Sequence, residues 1–533
     1  MITDLRFART FAPTVALGGL IALFAGCGDG PAPNADTDGG ATDAATEPGD
    51  VQSTDAGDAG SADADEVSTH VGDASSDVSD SADSADSADT AGRADAPAPV
   101  AATVTVDHTT PVANLDSTFA GFSYEKSTLN QPLFQGDNAG LIALFARLGP
   151  GLLRVGGNSV DQNTWTPTGA GRTAKQIAPA DVDRLAAFLK AANWKVIYGV
   201  NMGASTPDVA AAEAAYAATS LGDRLFGLEI GNEPDVYHGA YRPKTYAYAD
   251  FKTEWASFAS AVRAKTPSIV LTGPASAYNY AGYTVPFAHD EASLISLLTQ
   301  HYYIADGRLP TSTIDKMLAH DPALDAMLTA LRGAALPGGF RLAEANSFYA
   351  GGAPGISDSY ASALWAIDFL FDVAAGGGTG VNFHGGGSGT GYTPIANDGA
   401  GAVIEARAEY YGISLFSLAA NGKLVGAKTT GGTATWTAYA VDATDGASEV
   451  IIDNKDPSAS MTVTIDLGKA ATTATLTRLE GTSLSAATGM TLAGVPIGAD
   501  GSWTPGPLPT ATISGTKVVV DVAPASAVFV KAH

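Results

Sequence analysis

The chain reads as an α/β protein, a (β/α)8 TIM barrel followed by a C-terminal β-sandwich domain. Three observations predict this. From residue 119 onward, eight short apolar runs alternate with helical stretches, which is the pattern of a parallel sheet. Eight such units in about 300 residues match a closed barrel rather than an open sheet. Beyond residue 420 the alternation stops, and short runs of alternating polarity rich in Gly, Thr, Ala and Val recur between Gly- and Asp-rich turns.

The segment ahead of the barrel is of another kind. Arg6 and Arg9 form a short basic region, and Ala12 to Phe24 is mostly apolar but short for a membrane span. Ala25 and Gly26 then precede Cys27, the only cysteine of the 533 residues, so an intramolecular disulfide framework is excluded. The run Leu23-Phe24-Ala25-Gly26-Cys27 resembles a bacterial lipoprotein signal, with Phe24 where such signals usually carry Leu. The resemblance implies a signal peptide over 1–27, lipidation of Cys27, and export to a membrane surface. Gly28 after the cysteine points to the outer membrane. An ordinary secretory signal is the other reading. Residues 28–100 hold 18 acids against one base, Arg93, and almost no large apolar side chains. No core can offset the entropy of ordering such a segment, so a disordered acidic linker is expected. As a flexible coil it would reach roughly 50 Å. Of the total net charge of −27, residues 101–533 keep −11. That balance excludes a nucleic-acid partner and lacks the broad basic surface a polysulfated chain favours.

The strands of the barrel, placed at 119–420, are expected at Phe119–Glu125, Leu152–Asn158, Lys195–Met202, Leu225–Glu233, Ser268–Pro274, Leu298–Tyr303, Phe340–Ser347 and Gly380–Gly386. The helices between and after them include Ala180–Ala192, Pro207–Leu221, Tyr246–Lys265, Ser357–Ala375 and Ala402–Leu418, where apolar residues recur at helical spacing. The sandwich, at 421–533, is expected to use Ala434–Ala440, Ser448–Asp453, Ser460–Leu467, Thr473–Leu479, Lys517–Val522 and Ala527–Val530. Ala102–Val106, within a 101–118 lead-in, reads as one more strand able to join that domain from the other end of the chain.

Chemistry gathers where the barrel strands end. The C-terminal ends of parallel strands form the reactive face of such folds. There the first strand offers Ser123-Tyr124-Glu125, the second Arg154 to Asn158 followed by Asp161, and the fourth Asn232-Glu233. The sixth offers His301-Tyr302-Tyr303, the seventh Glu344-Ala345-Asn346-Ser347, and the eighth Asn382-Phe383-His384. Glu233 sits among apolar strand residues just before Pro234, where burial would raise its pKa as a general acid requires. A surface or salt-bridged Glu at a strand end is the bland alternative. Glu233 and Glu344, on strands four and seven, would face each other across the mouth. Retaining glycoside hydrolysis needs such a pair about 5–5.5 Å apart. His238, His301 and His384 are scattered and no His-Glu-x-x-His is present, so no metal and no cofactor are expected.

On Asn232-Glu233-Pro234, the Glu344 segment, Phe122-Ser123-Tyr124-Glu125 and Leu153-Arg154-Val155-Gly156-Gly157-Asn158, the chain resembles clan A glycoside hydrolases. Within that clan it resembles glycoside hydrolase family 79, which holds β-glucuronidases and heparanase-type enzymes. The likeness spans about 101–533. It implies that Glu233 is the acid/base, Glu344 the nucleophile, and Asn232 the donor to the sugar 2-hydroxyl. It also implies that Tyr303 donates to Glu344, and that Tyr349 and Tyr392 bind the glucuronate carboxylate. His384 and the backbone of Gly351 and Gly352 could assist them. His301 reads as a buttress or as a structural histidine. Glu125 and Asp161 read as contacts to sugar hydroxyls, or as partners of Arg154 or Lys126. The expected activity is an exo-acting retaining β-glucuronidase acting on a glucuronate or 4-O-methylglucuronate glycan. The alternatives are a heparanase-like endo-enzyme, another clan A glycosidase, and a non-catalytic glycan-binding lipoprotein.

Overall fold

Eight parallel strands close on themselves, in the order Ala120–Glu125, Leu152–Gly156, Lys195–Val200, Leu225–Ile230, Leu271–Ser276, Ile295–Asp306, Phe340–Tyr349 and Val381–Gly385, the last pairing with the first. The computed structural model describes residues 97–533 apart from Ser388 and Thr390. The expected signal segment, Cys27 and almost all of the acidic linker lie outside the described residues. A closed barrel has no edge strand, and its strands are covered on both faces, which is why they appear in the sequence as near-continuous apolar runs.

Local chemistry explains the helix ends. The helix Pro179–Ala192 starts with Pro in its first turn, and the Asp181 carboxylate accepts the Ala178 N–H at 2.9 Å. Val182, Leu185, Phe188, Leu189 and Ala192 form its buried stripe, and Asn193 at φ +56° ends it in the left-handed region. Helices Ala139–Arg147 and Pro322–Ala334 add to those expected. The expected helix over Ala402–Leu418 is shorter. Val403–Ala406 instead pairs with Ile395–Asn397 as a hairpin, and the helix runs Ala408–Ala419. No helix among the described residues is long and apolar enough to cross a membrane.

The C-terminal domain is one ten-stranded hydrogen-bonded sheet folded over its own core. Val100–Leu115 sits inside it, antiparallel to Gly422–Gly431 and parallel to Met461–Asp466. Strands Ser448–Asn454 and Ser526–Ala532 are buried on both faces. Val450, Ile452, Val528 and Val530 point into the sandwich, whereas Ile451 and Phe529 join the barrel's core. Helix Ala361–Ala375 is the seam. Its Phe371 stacks on Tyr439 at 4.2 Å, and its Asp368 accepts Thr437 Oγ1 at 2.6 Å, Tyr439 Oη at 2.9 Å and Lys455 Nζ at 2.6 Å. The sandwich is therefore packed onto the barrel rather than tethered to it.

Candidate active site

The fourth strand stops at Ile230, three residues earlier than the apolar run suggested. Gly231 at φ +81° turns the chain there, a conformation an L side chain resists. Asn232 and Glu233 therefore lie in a tight turn above the barrel, with Glu233 itself left-handed at φ +54°. Their backbone N–H groups leave the strand ladder. That of Asn232 goes to Asp161 Oδ2 at 3.2 Å and that of Glu233 to the Ala275 carbonyl at 2.9 Å. A residue held in this sparsely populated region needs such support, and here the support aims a carboxylate into the mouth.

Glu344, on the seventh strand, faces Glu233. One oxygen of each and a ring nitrogen of His301 all lie within 4.8 Å of one another. So close an approach of the two carboxylates is nearer the short separation of retaining glycosidases than the longer one of inverting glycosidases. The two carboxyls are pushed in opposite directions. Burial first, then the Glu344 and Asp235 charges, raise Glu233 well above the usual carboxylate range. Burial would also raise Glu344, but His384, His301, Arg154 and the Tyr303 hydrogen bond outweigh it and hold this carboxyl well below that range. Divergent environments of this kind suit one group to hold a proton and the other to stay ionised.

Arg154 organises the floor. Fully buried, it donates to Glu344 Oε2 at 2.6 Å, to Glu229 Oε2 at 2.7 Å and to Asn232 Oδ1 at 2.8 Å. The Asn232 oxygen is taken by the guanidinium, and its amide NH2, which donates to Asn158 Oδ1 at 3.4 Å, keeps a second hydrogen for a ligand hydroxyl. Tyr303 Oη donates to Glu344 Oε1 at 2.9 Å, the contact the family resemblance implied. His301 meets Glu233 Oε1 through Nδ1 at 2.9 Å, and burial holds its pKa down to about 4. Through this contact the imidazole buttresses Glu233. The Glu233–His301–Glu344 trio has metal-ligand spacing, but both Glu344 oxygens already receive donors from Arg154 and Tyr303, which disfavours a cation there.

Of the other expected contacts, the structure gathers most. Tyr303 lies 6.3 Å from Tyr349 and 6.0 Å from Tyr392, ring to ring, and His384 lies 6.1 Å from Tyr392. His384 Nδ1 shares a hydrogen bond with Ser123 Oγ at 3.1 Å and stands 3.7 Å from Glu344. Gly351 and Gly352, both at positive φ, turn the chain after strand seven, and the Gly391 N–H donates to the Gly351 carbonyl at 2.7 Å. Glu125 remains at the mouth, held by the Ser159 N–H at 2.8 Å and 3.9 Å from His384. It pairs with neither Arg154 nor Lys126, since Lys126 is buried against Glu213.

Asp161 is a correction. It is buried, with Oδ1 receiving the Met202 and Gly203 N–H groups and Oδ2 receiving Tyr237 Oη at 2.5 Å and the Asn232 N–H. Every acceptor position faces protein, so it braces the Asn232 turn instead of binding sugar. Sequence reasoning also passed over three supports. Glu229 balances Arg154, and Thr299 Oγ1 donates to it at 2.8 Å. Asp235 pins the loop after strand five. Asn346 ties the His384 and Tyr392 carbonyls to strand seven and meets buried Glu409. Arg154 and Glu229 did carry a signal: each is a charge inside an apolar run, and a buried charge must be paired.

The Tyr303 contact yields a pH prediction. For an enzyme working through an ionised Glu344 and a protonated Glu233, kcat/KM would rise as Glu344 loses its proton and fall as Glu233 loses its own. Removing the Tyr303 hydroxyl by Tyr303→Phe removes a donor to the ionised form and raises the Glu344 pKa. A pH–kcat/KM profile is expected to show the acidic limb displaced upward and the alkaline limb in place.

Two curated relatives match the chain. A β-glucuronidase of Aspergillus niger is 26% identical over 312 residues, 51% of this chain and 57% of that protein. A β-glucuronidase of Neurospora crassa is 25% identical over 374 residues, 58% of this chain and 65% of that protein. The match thus spans less than two thirds of either relative's length. The resemblance to β-glucuronidases read from the strand ends is borne out by both. No family model matches the chain. Among solved structures, a 4-O-α-L-rhamnosyl-β-D-glucuronidase from Fusarium oxysporum shares the fold with a TM-score of 0.68 at 18% identity, covering 80% of this chain and 99% of that one. A family 51 α-L-arabinofuranosidase from Bifidobacterium longum does so at 0.62 and 16% identity, covering 82% and 100%. The barrel with its β-sandwich is therefore the architecture the sequence predicted.

Proposed function

We propose that the chain is a retaining glycoside hydrolase. The observation that carries this is the Glu233–Glu344 pair, within 4.8 Å and with environments that protonate one and ionise the other. The Glu344 carboxylate attacks the anomeric carbon while the bond from that carbon to the leaving oxygen breaks and Glu233 gives that oxygen its proton. Water then attacks the same carbon, Glu233 takes the water's proton, and the Glu344 ester opens. The Asn232 amide donates to the 2-hydroxyl, an interaction that strengthens as positive charge develops at the ring.

More particularly, it is an exo-acting β-glucuronidase of glycoside hydrolase family 79. Both curated relatives are named β-glucuronidase. Tyr349, Tyr392 and His384 cluster around Tyr303 beside the nucleophile, suited to donating hydrogen bonds to the carboxylate of the sugar while Tyr303 donates to Glu344. The surplus of acids in residues 101–533 opposes a polysulfated endo-substrate. Turnover of aryl β-glucuronide, β-glucoside, β-galactoside and β-xyloside by the purified protein tests the reading. Selective cleavage of the glucuronide is expected. Preference for a neutral glycoside would keep the catalytic pair and remove the glucuronate assignment. The sequence around Cys27 further supports an exported, lipid-anchored protein presenting this domain at a bacterial membrane surface. Metabolic labelling with a fatty-acid analogue, lost in Cys27→Ser, tests that reading.

A further inference from the structure

The acid/base turn is fastened to a second loop. The Glu233 N–H donates to the Ala275 carbonyl at 2.9 Å at the end of strand five. Two residues after Glu233, buried Asp235 accepts three successive N–H groups of the loop that follows: Ala277 at 2.8 Å, Tyr278 at 3.1 Å and Asn279 at 2.9 Å. Hydrogen bonds to a carboxylate are about twice as strong as neutral ones, so three of them make a firm clamp. Gln300 Nε2 holds the same segment through the Ser276 carbonyl at 2.7 Å, and the Asn279 side chain accepts the Gly282 N–H at 2.9 Å. This loop is therefore positioned by the same turn that positions the acid.

Its outward side chain is Tyr278. At 58% exposure it is the most exposed large hydrophobic residue among the described residues, while Tyr283 of the same loop is buried. Only Ser276 and Ala277 separate Tyr278 from Ala275, so its Cα stands within about 10 Å of the carbonyl that receives the Glu233 N–H. Partial burial first, then the Asp235 and Glu233 charges, raise the Tyr278 pKa. The protonating acid must reach the oxygen of the breaking bond, so the group beyond that oxygen leaves on the acid's side of the mouth. Tyr303, Tyr349 and His384 lie on strands six, seven and eight, and Tyr392 in the loop after strand eight, on the nucleophile's side. The segment Ala277-Tyr278-Asn279-Tyr280-Ala281-Gly282-Tyr283-Thr284 carries no charged side chain.

We propose that Tyr278 is the platform for the leaving group, and that this group is an uncharged sugar whose apolar ring face lies on the tyrosine. The inference rests on the glucuronidase reading and adds to it the class of sugar to which the glucuronate is joined. An aromatic ring offers large contact area with little conformational entropy to lose, and the Asp235 clamp means that the platform is already in place before the substrate arrives. A sulfated leaving group would bring anionic charge toward Asp235 with no cation on this loop to receive it.

The test compares two substrates with one glucuronate and different leaving groups. β-Glucuronyl fluoride loses a single atom and has nothing to place on Tyr278. A β-glucuronyl disaccharide with a neutral reducing sugar does. Tyr278→Ala is expected to lower kcat/KM for the disaccharide about tenfold, within the range for an aromatic contact, and to leave the fluoride within about twofold. Tyr278→Phe is expected to keep both. Tyr278 is exposed, so neither variant threatens the fold. Equal losses on the two substrates, or no loss on the disaccharide, would overturn the platform. A wild-type preference for a sulfated reducing sugar over its neutral counterpart would overturn the uncharged assignment. Wild-type silence on both glucuronides would instead overturn the glucuronidase reading on which the proposal stands.

Discussion

Glu344→Gln is expected to lower turnover of an aryl β-glucuronide by roughly four to six orders of magnitude while the protein stays folded. The amide has nearly the shape of the carboxylate but cannot form the glycosyl ester. Its oxygen can still accept from Arg154 or Tyr303, which donate to the native Glu344 at 2.6 and 2.9 Å. Arg154 also keeps Glu229 and Asn232 as partners, so its buried charge is not left unpaired. Circular dichroism and thermal melting should therefore resemble the wild type while activity disappears. Residual activity above about one per cent of wild type would remove Glu344 as the nucleophile.

Glu233→Ala has the second largest expected effect, and its size depends on the leaving group. A sugar alkoxide leaves only when protonated, so loss of the acid is expected to slow natural-type glucuronides by about 10²–10⁴-fold. A dinitrophenolate or fluoride leaves unaided, and its release from the sugar should be nearly unchanged. The glycosyl–Glu344 ester then accumulates, because the base that activates water is gone. Azide, which needs no deprotonation, should restore turnover and yield the β-glucuronyl azide. The alkaline limb of the pH profile, set in the wild type by a Glu233 raised through burial and the Glu344 charge, should vanish. Equal losses on good and poor leaving groups would argue against a general-acid role.

Much of this was legible in the chain because burial writes plainly into sequence. A parallel strand covered on both faces must be apolar throughout, so the eight runs were visible, and strand–helix alternation implied their parallel order. What was obscured were the places where backbone rather than side chain decides. The fourth strand ends at Ile230 and not at Glu233, because the positive φ of Gly231 turns the chain before Pro234 can end the strand. Asp161 looked available for sugar because its true partners are backbone N–H groups of Met202, Gly203 and Asn232, which carry no residue signature. Gly422–Gly431 was missed because its Gly and Lys residues dilute the alternation, although it pairs on both sides. Val403–Ala406 was absorbed into a helix because its apolar residues suit either period over so short a stretch. The Arg154–Glu229 pair was the avoidable omission, since a lone charge in each of two apolar strands already asks for a partner.

The account rests on Glu344 forming a covalent bond to the sugar. A 2-deoxy-2-fluoro-β-glucuronyl fluoride should trap that species, because fluorine at position 2 slows its hydrolysis more than it slows its formation. Mass spectrometry of the inactivated, digested protein is predicted to place one fluoroglucuronyl group on the peptide containing Phe340–Tyr349, at Glu344. Label on Glu233 or Glu125, or steady turnover that releases the α-anomer first with no label at all, would contradict it.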